Sequence, residues 1–268
     1  ECFIIFVMAW CWLNATESKP QNVSGYFKKL HMKKLIFIIA TLFSLTTFSQ
    51  TKMRAIEELI NQSDSGWPFV SEWIKSAKNK VEILSVDNEK AKDALYKTQV
   101  TTRSPMGSIV YETGGILIDN GWIRILGSGN VKLNRSLPEW NLGKGFKEFG
   151  QSAPFLLVAD DAIGGFFMLN GGALGKDLGK IYYFAPDSLE FEPLNITYTE
   201  FLNFCFNNNL EEFYKGYRWK TWKEDVAKLN CDEVFNFVPY LWTKEGKDIE
   251  KSSKKDIEIE EQYNLNLD

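Results

Sequence analysis

Gly114-Gly115-Ile116-Leu117-Ile118-Asp119-Asn120-Gly121-Trp122-Ile123-Arg124-Ile125-Leu126 reads as two short β-rich runs joined across Asn120-Gly121. Asn-Gly is a strong hairpin signal because both residues tolerate positive φ, which a tight antiparallel turn demands. Towards the N-terminus the period is helical. Residues 53–61 carry apolar side chains at Met53, Ile56, Leu59 and Ile60; after the breaker Asp64-Ser65-Gly66, a second helix runs from Pro68 to about residue 77. Residues 81–84 predict a strand, and residues 87–99 a third helix with Asp87 as N-cap that buries Ala91, Ala94 and Leu95. Residues 108–112 read as a further β-rich run. Beyond the hairpin, residues 127–152 form a long loop whose one ordered patch is Leu137-Pro138-Glu139-Trp140. A second meander follows over 155–160, 165–170, 180–184 and 191–194. A capping box, Thr197-x-x-Glu200, reopens the helical pattern, with further helices at 209–214 and 219–229. A last strand over 235–243 and a charged tail close the chain. The class is α+β: N-terminal helices, a mostly antiparallel twisted sheet, and C-terminal helices packed on it.

The first 49 residues read differently. Met32-Lys33-Lys34, an apolar run from Leu35 to Leu45, and Thr47 and Ser49 at the −3 and −1 positions make the three parts of a secretory signal. Residues 1–31 are then an upstream extension, 32–49 a signal peptide, and 50–268 a single α+β domain. The expected localisation is exported, periplasmic or secreted. The apolar runs fall short of the roughly 20 residues a spanning helix needs, so no stable membrane span is expected after signal cleavage.

Without those 49 residues the chain keeps 26 basic and 33 acidic residues, a net charge of −7. That balance is mismatched to a phosphate backbone, and no basic stripe stands out, so nucleic-acid binding is not expected. An acidic surface suits a basic protein partner, and serves solubility equally well. The only histidine, His31, precedes the domain. Ser–His and Cys–His nucleophile activation, a histidine general base and nearly every catalytic zinc arrangement therefore lack their central residue. Cys205 and Cys231 lie 26 positions apart with no CxxC spacing. Export permits a disulfide between them, while the apolar helical face around Cys205 suits a buried free thiol.

Few motifs carry chemistry. Gly171-Gly172-Ala173-Leu174-Gly175-Lys176-Asp177 fails as a phosphate loop, because Asn170 and Asp177 replace the required Gly and Ser/Thr; it reads as a hairpin turn. No metal site and no cofactor are expected. Asp160 and Asp161, with Glu112 and Asp119 on neighbouring β-rich runs, can be gathered for acid–base work or can sit in a solvated turn. Arg103 and Arg124 can grip a carboxylate bidentately or bridge these acids structurally. Most tryptophans fall at core spacing. Trp140, in the loop, and Trp219, at a helix start, lie on no established apolar face and are the candidates for an exposed recognition surface.

Several blocks also resemble a known family: Val100-Thr101-Thr102-Arg103-Ser104-Pro105-Met106-Gly107, Tyr111-Glu112-Thr113-Gly114-Gly115, Trp122 to Gly129, and Phe155 to Asp161. Asn170-Gly171-Gly172-Ala173, Tyr183-Phe184-Ala185-Pro186-Asp187 and Leu241-Trp242-Thr243-Lys244-Glu245-Gly246 complete the set. In this order they resemble the bacterial domain-of-unknown-function 2625 family, from about Met53 to the C-terminus. A looser likeness, over under half of the domain, is to the SUKH superfamily, which includes toxin-binding immunity proteins. The signal-like segment departs from that pattern, since such proteins mostly act inside the cell.

Two functions stand on these readings. One is a non-catalytic protein-binding domain, immunity-like by what the SUKH resemblance implies, that uses Trp140, Trp219, Arg103, Arg124 and the acids around them. The alternative is a histidine-independent hydrolase of envelope glycans working through Asp160, Asp161 or Glu112, which needs two carboxyl groups about 5–9.5 Å apart across an open cleft.

Overall fold

The computed structural model describes residues 53–267; the upstream-extension and signal-peptide readings lie outside the described residues. The chain opens with α1 (Ile56–Leu59), α2 (Trp67–Lys75), β1 (Val81–Leu84) and α3 (Asn88–Thr98). Asp87 caps α3 as expected, its carboxylate accepting from the Glu89 and Lys90 amides. The next element corrects the sequence reading. Residues 108–112 belong to α4 (Pro105–Glu112), not to a strand. Ser104 caps it by accepting from Gly107 N, and Pro105 occupies the first turn, where its missing N–H is no loss.

The sheet then runs in chain order. β2 (Gly115–Ile118) and β3 (Ile123–Leu126) form the expected hairpin. Its turn holds Asp119, Asn120 and Gly121 at φ of 49°, 63° and 97°, which explains the Asn-Gly pair. The helix α5 (Leu137–Asn141) is the ordered patch of the long loop. β4 (Phe155–Asp161), β5 (Phe166–Asn170), β6 (Lys180–Ala185) and β7 (Glu190–Thr197) complete a seven-stranded antiparallel meander in the order β1 to β7. β2 and β3 are buried along their whole length, whereas β7 closes one edge and is largely exposed. Glu190, Glu192 and Pro193 on that edge oppose pairing with another chain.

The capping box at Thr197 forms as read and starts α6 (Tyr198–Asn207), which packs on β6 and β7. Asn79 ties the end of α2 to α6 by donating to the carbonyls of Cys205 and Asn208. α7 (Leu210–Phe213) and α8 (Trp222–Val226) follow, then β8 (Glu233–Val238). The expected charged tail is instead structured. β9 (Ser253–Glu258) pairs with β8 as a separate antiparallel ribbon, and α9 (Ile259–Leu267) packs on both. The last strand is correspondingly shorter than 235–243. Buried apolar residues from Leu59 to Tyr263 form one contiguous cluster. Among the described residues, no helix is long and apolar enough to cross a membrane.

Candidate functional site

The sheet register explains the first charged cluster. Arg124 on β3 stands directly opposite Asp160 on β4. Both are fully buried, and Arg124 Nε lies 2.6 Å from Asp160 Oδ1. That contact is an ion pair rather than a well-directed hydrogen bond, since neither atom meets hydrogen-bond geometry. The remaining guanidinium nitrogens of Arg124 donate to the carbonyls of Glu233 and Asp161, each at 2.6 Å. Arg135, from the loop before α5, reaches the other Asp160 oxygen at 2.6 Å and Asp232 at 2.9 Å. It also donates to the Cys231 carbonyl, while Asp232 accepts from Asn134 N. Burial disfavours the Arg135 charge, but Asp160 and Asp232 more than offset it and hold the group protonated. The network pins β3, β4, the 134–135 loop and the start of β8 to one another.

Asp161 is committed separately. Oδ1 accepts from the Ile163 and Gly165 amides, and Oδ2 from the hydroxyls of Tyr183 at 2.7 Å and Tyr214 at 3.1 Å. Gly165 makes this enclosure possible, because a Cβ there would stand 2.5 Å from Asp161 Oδ2 and 2.2 Å from the Tyr183 hydroxyl. Burial raises the Asp161 carboxyl above its ordinary range despite these bonds, and burial beside it pushes both tyrosine hydroxyls well up. Beside Tyr214, Trp122 meets Trp222 edge-on, and the Arg218 guanidinium lies over the Trp222 ring at 4.0 Å. Arg218 is held by Asp119 at 2.9 Å and Glu211 at 2.7 Å.

These positions revise the candidate list. Asp160 and Asp161 occupy neither an open acid pair nor a solvated turn; both are enclosed, because each has cationic or hydroxyl partners that compensate its desolvation. Arg124 takes the structural bridging role weighed for it. Arg103 does not, since it is exposed and faces Asp64 at 3.5 Å. Glu112, half-buried at the C-terminal end of α4, has its carboxyl raised by burial. Among the described residues, no three acidic or cysteine side chains gather as a metal-ligand set.

The expected exposure of Trp140 and Trp219 is also corrected. Trp219 is buried against Trp122, Phe235 and Phe237, with its indole N–H donating to Asp225 at 2.6 Å. Trp140 is buried because α5 turns it inward against Tyr263 of α9, a partner invisible in a sequence read as charged tail. Cys205 and Cys231 are both free.

Trp140 does, however, form the floor of a surface cleft of about 630 Å³. One wall is the 131–144 loop with Arg135, Glu139 and Lys144; the other is the β9–α9 junction with Glu258 and Glu260, and Asp232 closes the back. Four carboxylates face two cations. Both cations lie against the indole, Arg135 at 4.7 Å and Lys144 at 4.1 Å from the ring centre. Asp232 and Glu260 neutralise them, and Glu139 faces Lys97 at 3.4 Å. Glu258 pairs with no cation among the described residues, so the cleft retains negative charge. Of this set only Trp140 stands out in the sequence, because β9 and α9, which build the second wall, carry little apolar pattern to announce them.

Comparison with known proteins adds relatives but no chemistry. The family model described as "Protein of unknown function DUF2625" matches residues 56–262. An uncharacterized protein of Haemophilus influenzae is 46% identical over 215 residues, covering 80% of this chain and 94% of that protein. The putative uncharacterized protein YbfG of Escherichia coli K12 is 45% identical over 213 residues, 80% of this chain and 95% of the relative. No solved structure matches.

Proposed function

We propose a function for a chain that belongs to the Protein of unknown function DUF2625 family: it is a non-catalytic binding protein whose cleft over Trp140 receives a cationic segment of a basic partner protein. The observation that carries this reading is the surplus of carboxylates in the cleft, with Glu258 free to meet an incoming cation. A cation at such a site gains Coulomb attraction from Glu258 and the carboxylates around it. The hydrolase alternative draws no support from the same geometry, because Asp160 and Asp161 are enclosed and already bonded. The signal-like residues 32–49 support a meeting with that partner outside the cytoplasm, in the manner of an exported immunity protein.

Titration calorimetry with a lysine-rich and a glutamate-rich peptide of equal length tests the reading. The lysine peptide is expected to bind, more weakly as salt rises, and to lose affinity when Glu258→Lys reverses the free charge. Equal binding of both peptides, or indifference to Glu258→Lys, overturns it.

A further inference from the structure

The cleft already contains one ammonium. Lys144 Nζ lies 2.8 Å from Glu260 Oε2, 4.1 Å from the Trp140 ring centre and 5.4 Å from that of Tyr263. The Lys144 side chain is only 12% exposed although its residue sits on a surface loop. That loop is fixed locally: the amides of Lys144 and Gly145 donate to the Asn141 carbonyl, and Gly143 N donates to Phe146 O. The backbone therefore stays in place while the side chain, with four rotatable carbon–carbon bonds, is free to leave.

We propose that Lys144 is a built-in occupant of an ammonium site, and that a lysine side chain of the partner takes its place between Glu260 and the rings of Trp140 and Tyr263. This rests on the reading of the cleft as a site for a basic protein. The chemistry favours an ammonium, because a carboxylate beside two ring faces satisfies a compact cation from two directions. A cleft of about 630 Å³ leaves room for the incoming chain alongside the displaced one. Self-occupation lowers apparent affinity by the fraction of molecules in which the cage is open. An ion pair open to solvent on its Glu260 side and a cation–π contact together hold it closed by roughly a factor of ten. Lys144 thus sets a threshold that a single stray ammonium does not pass and an array of partner lysines does.

The experiment uses the full protein and hexalysine amide as probe, with affinities taken from calorimetry. Lys144→Ala is expected to bind roughly tenfold more tightly than the wild type, and Lys144→Arg to stay near the wild-type value because its guanidinium refills the cage. Lys132→Ala removes the same charge from the neighbouring turn without touching the cage, and is expected to change affinity about twofold or less. Binding by the wild type with no gain in Lys144→Ala, or with an equal gain in Lys132→Ala, overturns the self-occupation and leaves the cleft reading standing. Binding by Lys144→Ala alone supports it. Binding by neither overturns both.

Discussion

Replacing Asp160 by Asn removes one charge and almost no volume, which isolates the electrostatic contribution of the buried network. Asp160 is fully buried and neutralises two guanidinium groups, those of Arg124 and Arg135, whose side chains are 1% and 11% exposed. Removing one partner of a buried pair costs about 3–5 kcal/mol, because the remaining charge stays desolvated. Arg124 keeps its bonds to the Glu233 and Asp161 carbonyls, and Arg135 keeps Asp232 and the Cys231 carbonyl, so the lower part of that range applies, about 3–4 kcal/mol. That is a large share of the roughly 5–15 kcal/mol by which domains are stable. Urea unfolding at pH 7 measures it as a lowered midpoint at unchanged slope. The exposed pair Arg103–Asp64 supplies the contrast, with Arg103→Ala expected to cost under about 0.5 kcal/mol. Adding Arg124→Met to Asp160→Asn is expected to recover part of the loss by removing an uncompensated charge. An Asp160→Asn protein within about 1 kcal/mol of the wild type refutes the reasoning.

Other expectations follow from the same geometry. Burial holds the Asp161 carboxyl above its ordinary value, so between that value, about 3.9, and the raised one the folded chain binds more protons than the unfolded chain. This group therefore makes stability fall as pH rises through that window, and Asp161→Asn is expected to remove its share of the slope in unfolding curves taken from about pH 4 upward; an unchanged slope counts against it. Asn141 joins α5 to β4 by donating to the Leu137 and Leu157 carbonyls and accepting from Leu157 N, so Asn141→Ala is expected to cost about 2–3 kcal/mol in the same assay, and a loss below about 0.5 contradicts the role. Thiol labelling of the native protein is expected to modify half-buried Cys231 well before Cys205, which should react only on unfolding; simultaneous reaction contradicts the burial difference.

Local signals with a backbone cause were legible. Asn120-Gly121, the Asp87 cap and the Thr197-x-x-Glu200 box each demand a particular backbone geometry, and each marks the element it was read to mark. Residues 108–112 misled because Ile109, Val110 and Tyr111 favour strands, whereas Ser104-Pro105 carried the helix-start signal that should have outweighed them. β9 escaped because Ser253–Glu258 is an exposed, charged edge strand with almost no apolar alternation, and α9 has little apolar asymmetry to announce it. That omission hid the cleft, one wall of which is the β9–α9 junction, and left Trp140 looking exposed. The Arg124–Asp160 pair needed a register between strands 29 residues apart along the intervening loop. One clue was available: a single arginine and two aspartates within otherwise apolar strand runs require each other if they are buried.

The most direct test of the cleft as a cation-binding site is to follow backbone and indole amide resonances during titration of the wild-type protein with a lysine-rich peptide. Binding at the cleft predicts concerted shifts at Asn134, Trp140, Asp232, Glu258 and Glu260, saturating together and diminishing with added salt. Saturable binding whose shifts lie elsewhere, with these five unmoved, contradicts the account.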